Sequence, residues 1–158
     1  MRLHSTVLLT RQLERLRDFY TGALGLRVLD DFGACVFLEG GLSLWRPGAG
    51  HPVQAPPAHP VDTPQSDAIE LCFEADTGEE FERVAYALLR LGLPVLHDLR
   101  TEPWGQRTIR LRDPDGNLIE WGESIPCFVR RLSHAGNSVD AIAAHTGVAP
   151  GKIRDILA

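Results

Sequence analysis

A chain of 158 residues, 44% of them hydrophobic, can bury one core, or one core and a small appendage. A net charge of −5 gives no global reason to bind nucleic acid or an anionic membrane surface. No apolar run approaches the roughly 18 residues of a membrane span, and "MRLHSTVLLTRQLERL" meets charge too early for a secretory signal. Three cysteines (Cys35, Cys72, Cys127) are an odd number and read as small residues of a cytoplasmic protein, not as a disulfide framework.

In chain order, "STVLLT" reads as a strand, and "QLERLRDFYTGAL" carries Leu13, Leu16, Phe19, Tyr20 and Leu24 at helical spacing. "RVLDD", "ACVFLE" and "LSLWR" follow as strands, the last two meeting at Gly40-Gly41, a two-residue hairpin signal. Residues 48–66 are Pro-rich and predict a linker without regular structure, in which His51 and His59 are solvated. The series then restarts. "AIELCFEAD" is a strand, and "TGEEFERVAYALLRLG" a helix with Thr77 and Glu80 in capping-box positions and a stop at Gly92. "PVLHD", "QRTIRLR" and "NLIEWGE" are three more strands, the last two joined by Asp113-Pro114-Asp115-Gly116-Asn117, strong turn chemistry. The repeat is audible in the letters: "LGLRVLDD" (24–31) returns as "LGLPVLHD" (91–98). The reading is an α+β fold of two βαβββ modules, about 3–47 and 67–124, within one domain, 1–124.

Residues 125–158 change pattern and predict three short helices, with Ser138 as an N-cap. Their centre, "SVDAIAAHTGVAPGKIRDIL", resembles a helix-turn-helix with Gly147 in the turn and Lys152 and Arg154 facing phosphates. Four Lys/Arg against two Asp leave this tail at only about +2, a small electrostatic footprint. The tail is read as a packing element, and nucleic acid is not an expected partner.

"LERLRDFYTGALGLRV", "IELCFEAD" and "PWGQRTIRLRDPDGNLIEW" together resemble the vicinal oxygen chelate superfamily: glyoxalase I, bleomycin-resistance proteins, fosfomycin-resistance enzymes and extradiol dioxygenases. The resemblance covers roughly residues 3–124. It implies a mixed sheet curled around a cavity, and a homodimer. In metal-dependent members four side chains converge there, one from the first and one from the last strand of each module. Carried over, these are Ser5, Ser43, Glu70 and Glu120, where a glyoxalase I-like protein would show His, Glu, His or Gln, and Glu. Only Glu120 agrees outright. No metal or other cofactor is therefore expected; if a divalent metal binds, Glu70, Glu120 and, through a bulge, His4 are its ligands. Alternation otherwise turns His4 to the opposite face.

Counting outward from the Asp113–Asn117 turn puts Arg110 opposite Glu120, as its charge partner. Glu70 is then the less compensated acid, suited to general base work or to a cationic ligand. By strand parity Cys72 accompanies Glu70, Trp45 accompanies Ser43, and Thr108 accompanies Arg110. Trp104 stands in a turn at the rim, with His97 and Arg107 as weaker candidates, and Trp121 has core parity. These side chains describe a small-molecule site. The expected function is ligand binding in the manner of bleomycin-resistance proteins. The alternatives are a metal-dependent lyase or dioxygenase, in which Glu70 and Glu120 would be catalytic, and a ligand-responsive DNA-binding regulator.

Overall fold

The computed structural model describes residues 4–49 and 69–158. The prolines of 52–64, with His51 and His59, lie outside the described residues. Two compact units emerge. One holds Met1–Ile69 with the Arg112–Asn117 turn, the other Glu70–Leu111 with Leu118–Ala158.

In the first unit β1 (Thr6–Leu9) leads into α1 (Leu13–Asp18), followed by β2 (Val28–Asp31), β3 (Cys35–Leu38) and β4 (Leu42–Trp45). The strand order is β1-β4-β3-β2. β1 runs parallel to β4, and β3 runs antiparallel to both of its neighbours. The helix predicted through Leu24 is α-helical only to Asp18 and continues as a π-helical turn over Phe19–Ala23. Both Phe19 and its neighbour Tyr20 are buried there, ring edge to ring face at 5.1 Å. The Gly40-Gly41 hairpin is a three-residue turn, not two: Leu38 pairs with Leu42, and Glu39–Gly41 turn between them. Both glycines have φ near +77°, values of 76° and 78°, which explains why no side chain stands at either position.

β3 and β4 alternate strictly. Val36, Leu38, Leu42 and Leu44 are buried with Leu13 and Leu16 of α1, while Cys35, Phe37, Ser43 and Trp45 take the other face.

The second unit repeats the plan with β5 (Glu70–Ala75), α2 (Gly78–Leu89), β6 (Val95–Thr101), β7 (Arg107–Arg112) and β8 (Leu118–Glu123) in the order β5-β8-β7-β6. Thr77 caps α2 by accepting from the Glu80 amide, and Glu80 accepts from the Asp76 amide in return. Phe81, Val84, Ala85 and Leu88 bury one stripe of α2, beside Trp121, whose indole N–H donates to the Phe81 carbonyl. The tail belongs to this unit as α3 (Ile125–His134), α4 (Val139–Thr146) and α5 (Pro150–Leu157). Its helices enclose a core of Phe128, Val129, Ile142 and Ile153. Ser138 caps α4, and Gly147 ends it in the left-handed region. No described helix is long and apolar enough to cross a membrane.

Candidate functional site

Strand register builds one row of side chains across the face of each sheet opposite its helix. In the first unit the Cα partners run Val7–Ser43–Phe37–Asp30, from β1 to β2. A bulge at Leu29, between Val28 and Asp30, brings Asp30 into that row. Around it lies a pocket of about 340 Å³, whose walls include His4, Ser5, Phe32, Phe37, Asp30 and Ser43. Phe37 is the centrepiece, with the Phe32 ring perpendicular to it at 5.9 Å and the His4 ring tilted against it at the same distance. The Ser43 hydroxyl is fully buried and has no hydrogen-bond partner. An orphaned buried hydroxyl costs about 1–3 kcal/mol.

His4 therefore does not turn away as alternation predicted. β1 begins only at Thr6, so strand parity does not bind residue 4, and His4 lines the pocket beside Ser5. Trp45 is half-buried at the end of β4, across from Cys35 and Leu9, and does not line this pocket.

In the second unit the corresponding row runs Cys72–Glu120 by register, then Arg110 bonded to Glu120, then His97 opposite Arg110. Arg110 is engaged at all three of its nitrogens. Its Nε donates to Glu70 at 2.7 Å, Nη1 to Glu102 at 2.7 Å, and Nη2 to Glu120. Nη1 also lies 3.2 Å from His97 Nε2, while His97 Nδ1 meets the Asp98 carbonyl, so the ring acts as donor at Nδ1 and acceptor at Nε2. The expectation that Glu70 is the uncompensated acid is overturned. A guanidinium has five N–H donors in a fork, and counting along one hairpin assigned it only one carboxylate. The third, Glu102, was not anticipated. It is buried, and it also accepts from Thr108 and Arg100. Burial pushes the Glu102 carboxyl up, but these hydrogen bonds outweigh it and hold it below the ordinary value. Burial raises Glu120, against the pull of Arg110. Cys72 is exposed on the same face; partial burial and the charges of Glu120 and Glu70 raise its thiol, a poor setting for a nucleophile.

Between β6 and β7 the chain makes a tight turn, in which Glu102 N–H donates to the Gln106 carbonyl and Gly105 N–H to the Glu102 carbonyl. Trp104 sits on it, 41% exposed, with its indole N–H donated to Gln106 Oε1. The tail grips this turn. Arg131 donates to the Gly105 carbonyl at 2.6 Å, and Leu132 and His145 lie against Gly105, where a Cβ would come 3.1 Å from the His145 ring. Arg131 and Arg107 converge on the fully buried Glu123. Burial raises Glu123, and the bonds from Arg131 and Arg107 more than reverse it.

The donor sets do not fit a divalent metal. Glu70 and Glu120 are already engaged by Arg110, and Ser5 and Ser43 offer neutral hydroxyls. No group of three His, Cys, Asp or Glu side chains among the described residues is arranged to hold an ion.

A family model described as "Glyoxalase-like domain" matches residues 3–126. Among solved structures, a protein of unknown function from Agrobacterium tumefaciens is 28% identical, with a TM-score of 0.66 over 79% of this chain and 95% of that one. A lactoylglutathione lyase from the same organism is 28% identical, with a TM-score of 0.53 over 78% of this chain and 93% of that one. A glyoxalase/dioxygenase from Nostoc punctiforme, 22% identical over 78% of this chain and 90% of that one, shares the fold with a TM-score of 0.61. No curated protein matches the sequence. Matched over most of its length, with the βαβββ plan written twice, the chain belongs to the glyoxalase-like domain family.

Proposed function

We propose that this protein binds a small organic molecule in the strand-face pocket of its first module, without metal chemistry. The observation that carries the reading is the buried, unpartnered Ser43 hydroxyl in the wall of an aromatic pocket of about 340 Å³. A site with apolar walls and a few polar groups holds a ligand by shape and orients it by hydrogen bonds. The ion cluster on Arg110 supports the same reading, because the carboxylates that would serve a metal are neutralised by a guanidinium. Dimerisation is part of the proposal, supported by Val95 and Leu96, exposed on the edge strand β6.

Two measurements test it. Elemental analysis of dialysed protein is expected to find well under one Ni, Zn, Fe or Mn per chain; one tightly held ion, lost in Glu120→Ala, overturns the metal-free reading. Sedimentation velocity is expected to show a dimer, and a monomer at all concentrations removes that part.

A further inference from the structure

We infer that the ligand of this pocket is an aromatic cation that also carries a hydrogen-bonding atom, an inference that rests on the pocket reading above. Three features of the pocket set the class. Phe37 and Phe32, crossed at 89° with centroids 5.9 Å apart, give the wall an aromatic lining that accepts a planar aromatic group. Asp30 is the acidic residue of the lining, and no Lys or Arg lines the pocket among the described residues, so its charge is open to a ligand cation. A cation held near Asp30 also lies beside the Phe37 ring, since Asp30 and Phe37 are register partners. Ser43, partner of Phe37 on the opposite side, supplies the third feature, a buried hydroxyl that bonds nothing in the protein.

The row also sets a length. Ser43, Phe37 and Asp30 stand on three successive strands, and two strand spacings come to about 10 Å. The polar atom and the cationic group of the ligand therefore lie at opposite ends of a bicyclic-sized aromatic body, with Phe37 beneath its middle. Exposed Phe32 and Leu29, at 70% and 55%, form the mouth on the Asp30 side, where the solvated cationic end enters last.

Ligand-observed NMR with a library of aromatic fragments, divided equally into cationic, neutral and anionic members, tests the class. Hits are assigned to the pocket by their loss in Ser43→Leu, which fills it, with a thermal melt to verify folding; Phe37→Ala serves as the second assignment variant. Pocket hits are expected to be predominantly cationic. Their affinity is expected to fall at least tenfold in Asp30→Asn, a substitution at an exposed strand position. Ser43→Ala is expected to weaken about fivefold those hits that carry an acceptor, and not those without one. If pocket hits are found but are mainly neutral or anionic, or if Asp30→Asn leaves their ranking unchanged, the class is wrong while the pocket stands. If no fragment is lost in either assignment variant, the pocket reading itself fails.

Discussion

The two modules are written on one template, yet their strand faces have opposite characters. By position in the repeat, Phe37 of the first stands where Arg110 stands in the second, Ser43 where Glu120 stands, and Asp30 where His97 stands. Even the bulge is shared, at Leu29 and again between Val95 and His97. Exchanging a ring for a guanidinium at the centre of the row changes everything around it. The arginine draws in Glu70, Glu102 and Glu120 and closes the face with ion pairs. The phenylalanine leaves space, an aromatic wall and a hydroxyl without a partner. One backbone geometry thus supports a self-satisfied face and one with an open pocket, and the two differ in the side chain on the third strand.

The largest expected effect breaks the satisfied face. Arg110→Met leaves Glu70 and Glu120 without this cation and the nearly inaccessible Glu102 with only Arg100 and Thr108, and should cost about 3 kcal/mol at pH 7, the partial exposure of Glu70 and Arg110 trimming a fully buried value. Mutual repulsion of the stranded acids is relieved as they take up protons, so the penalty should shrink between pH 7 and pH 4. Urea unfolding at both values measures it; a pH-independent cost would mean that Arg110 acts through packing alone.

Next comes the clamp that ties the tail to the second module. Glu123→Gln should cost about 2 kcal/mol, because charge-assisted bonds from Arg107 and Arg131 become neutral ones. Glu123 is held below its ordinary value of 4.5, so its contribution is present above that value and lost as the pH falls through the folded one. The gap between wild type and Glu123→Gln should therefore begin to close below about pH 4.5 in thermal melts. The intact protein should show no salt-dependent duplex binding. A steep salt slope abolished by Lys152→Ala with Arg154→Ala would make α5 a DNA-binding helix and the tail more than packing.

A smaller effect sharpens the receptive face. Ser43→Ala removes a hydroxyl that bonds nothing, so the ligand-free protein should be unchanged or gain up to about 1 kcal/mol, measured by urea unfolding. A clear loss would mean that the hydroxyl has a partner and that the face is not waiting for one. Smallest is a difference in thiol reactivity. Burial, with the charge of Glu123, pushes the Cys127 thiol up to about 11, whereas Cys72 is exposed. A disulfide reagent at pH 8 should therefore modify Cys72 well before Cys127, and peptide mapping identifies the order.

What could be read from the letters was whatever obeys a local period. The doubled βαβββ order, the capping residues Thr77 and Ser138, the turn at Gly147 and the buried parity of Trp121 are all set within a few residues of chain. The Arg110–Glu120 pairing also followed from counting along one hairpin. Asp30 escaped because a bulge in β2 shifts the register by an amount that no alternation reveals, and Glu102 escaped because it stands beyond β6, in the turn, where strand parity does not reach. The Glu123 clamp joins Arg107 to Arg131, 24 residues apart, a meeting decided by how α3 docks. Backbone periodicity is a short-range property and survives in the sequence. Which charges meet, and which hydroxyl is left without a partner, depends on contacts between distant strands, and only the tertiary structure decided them.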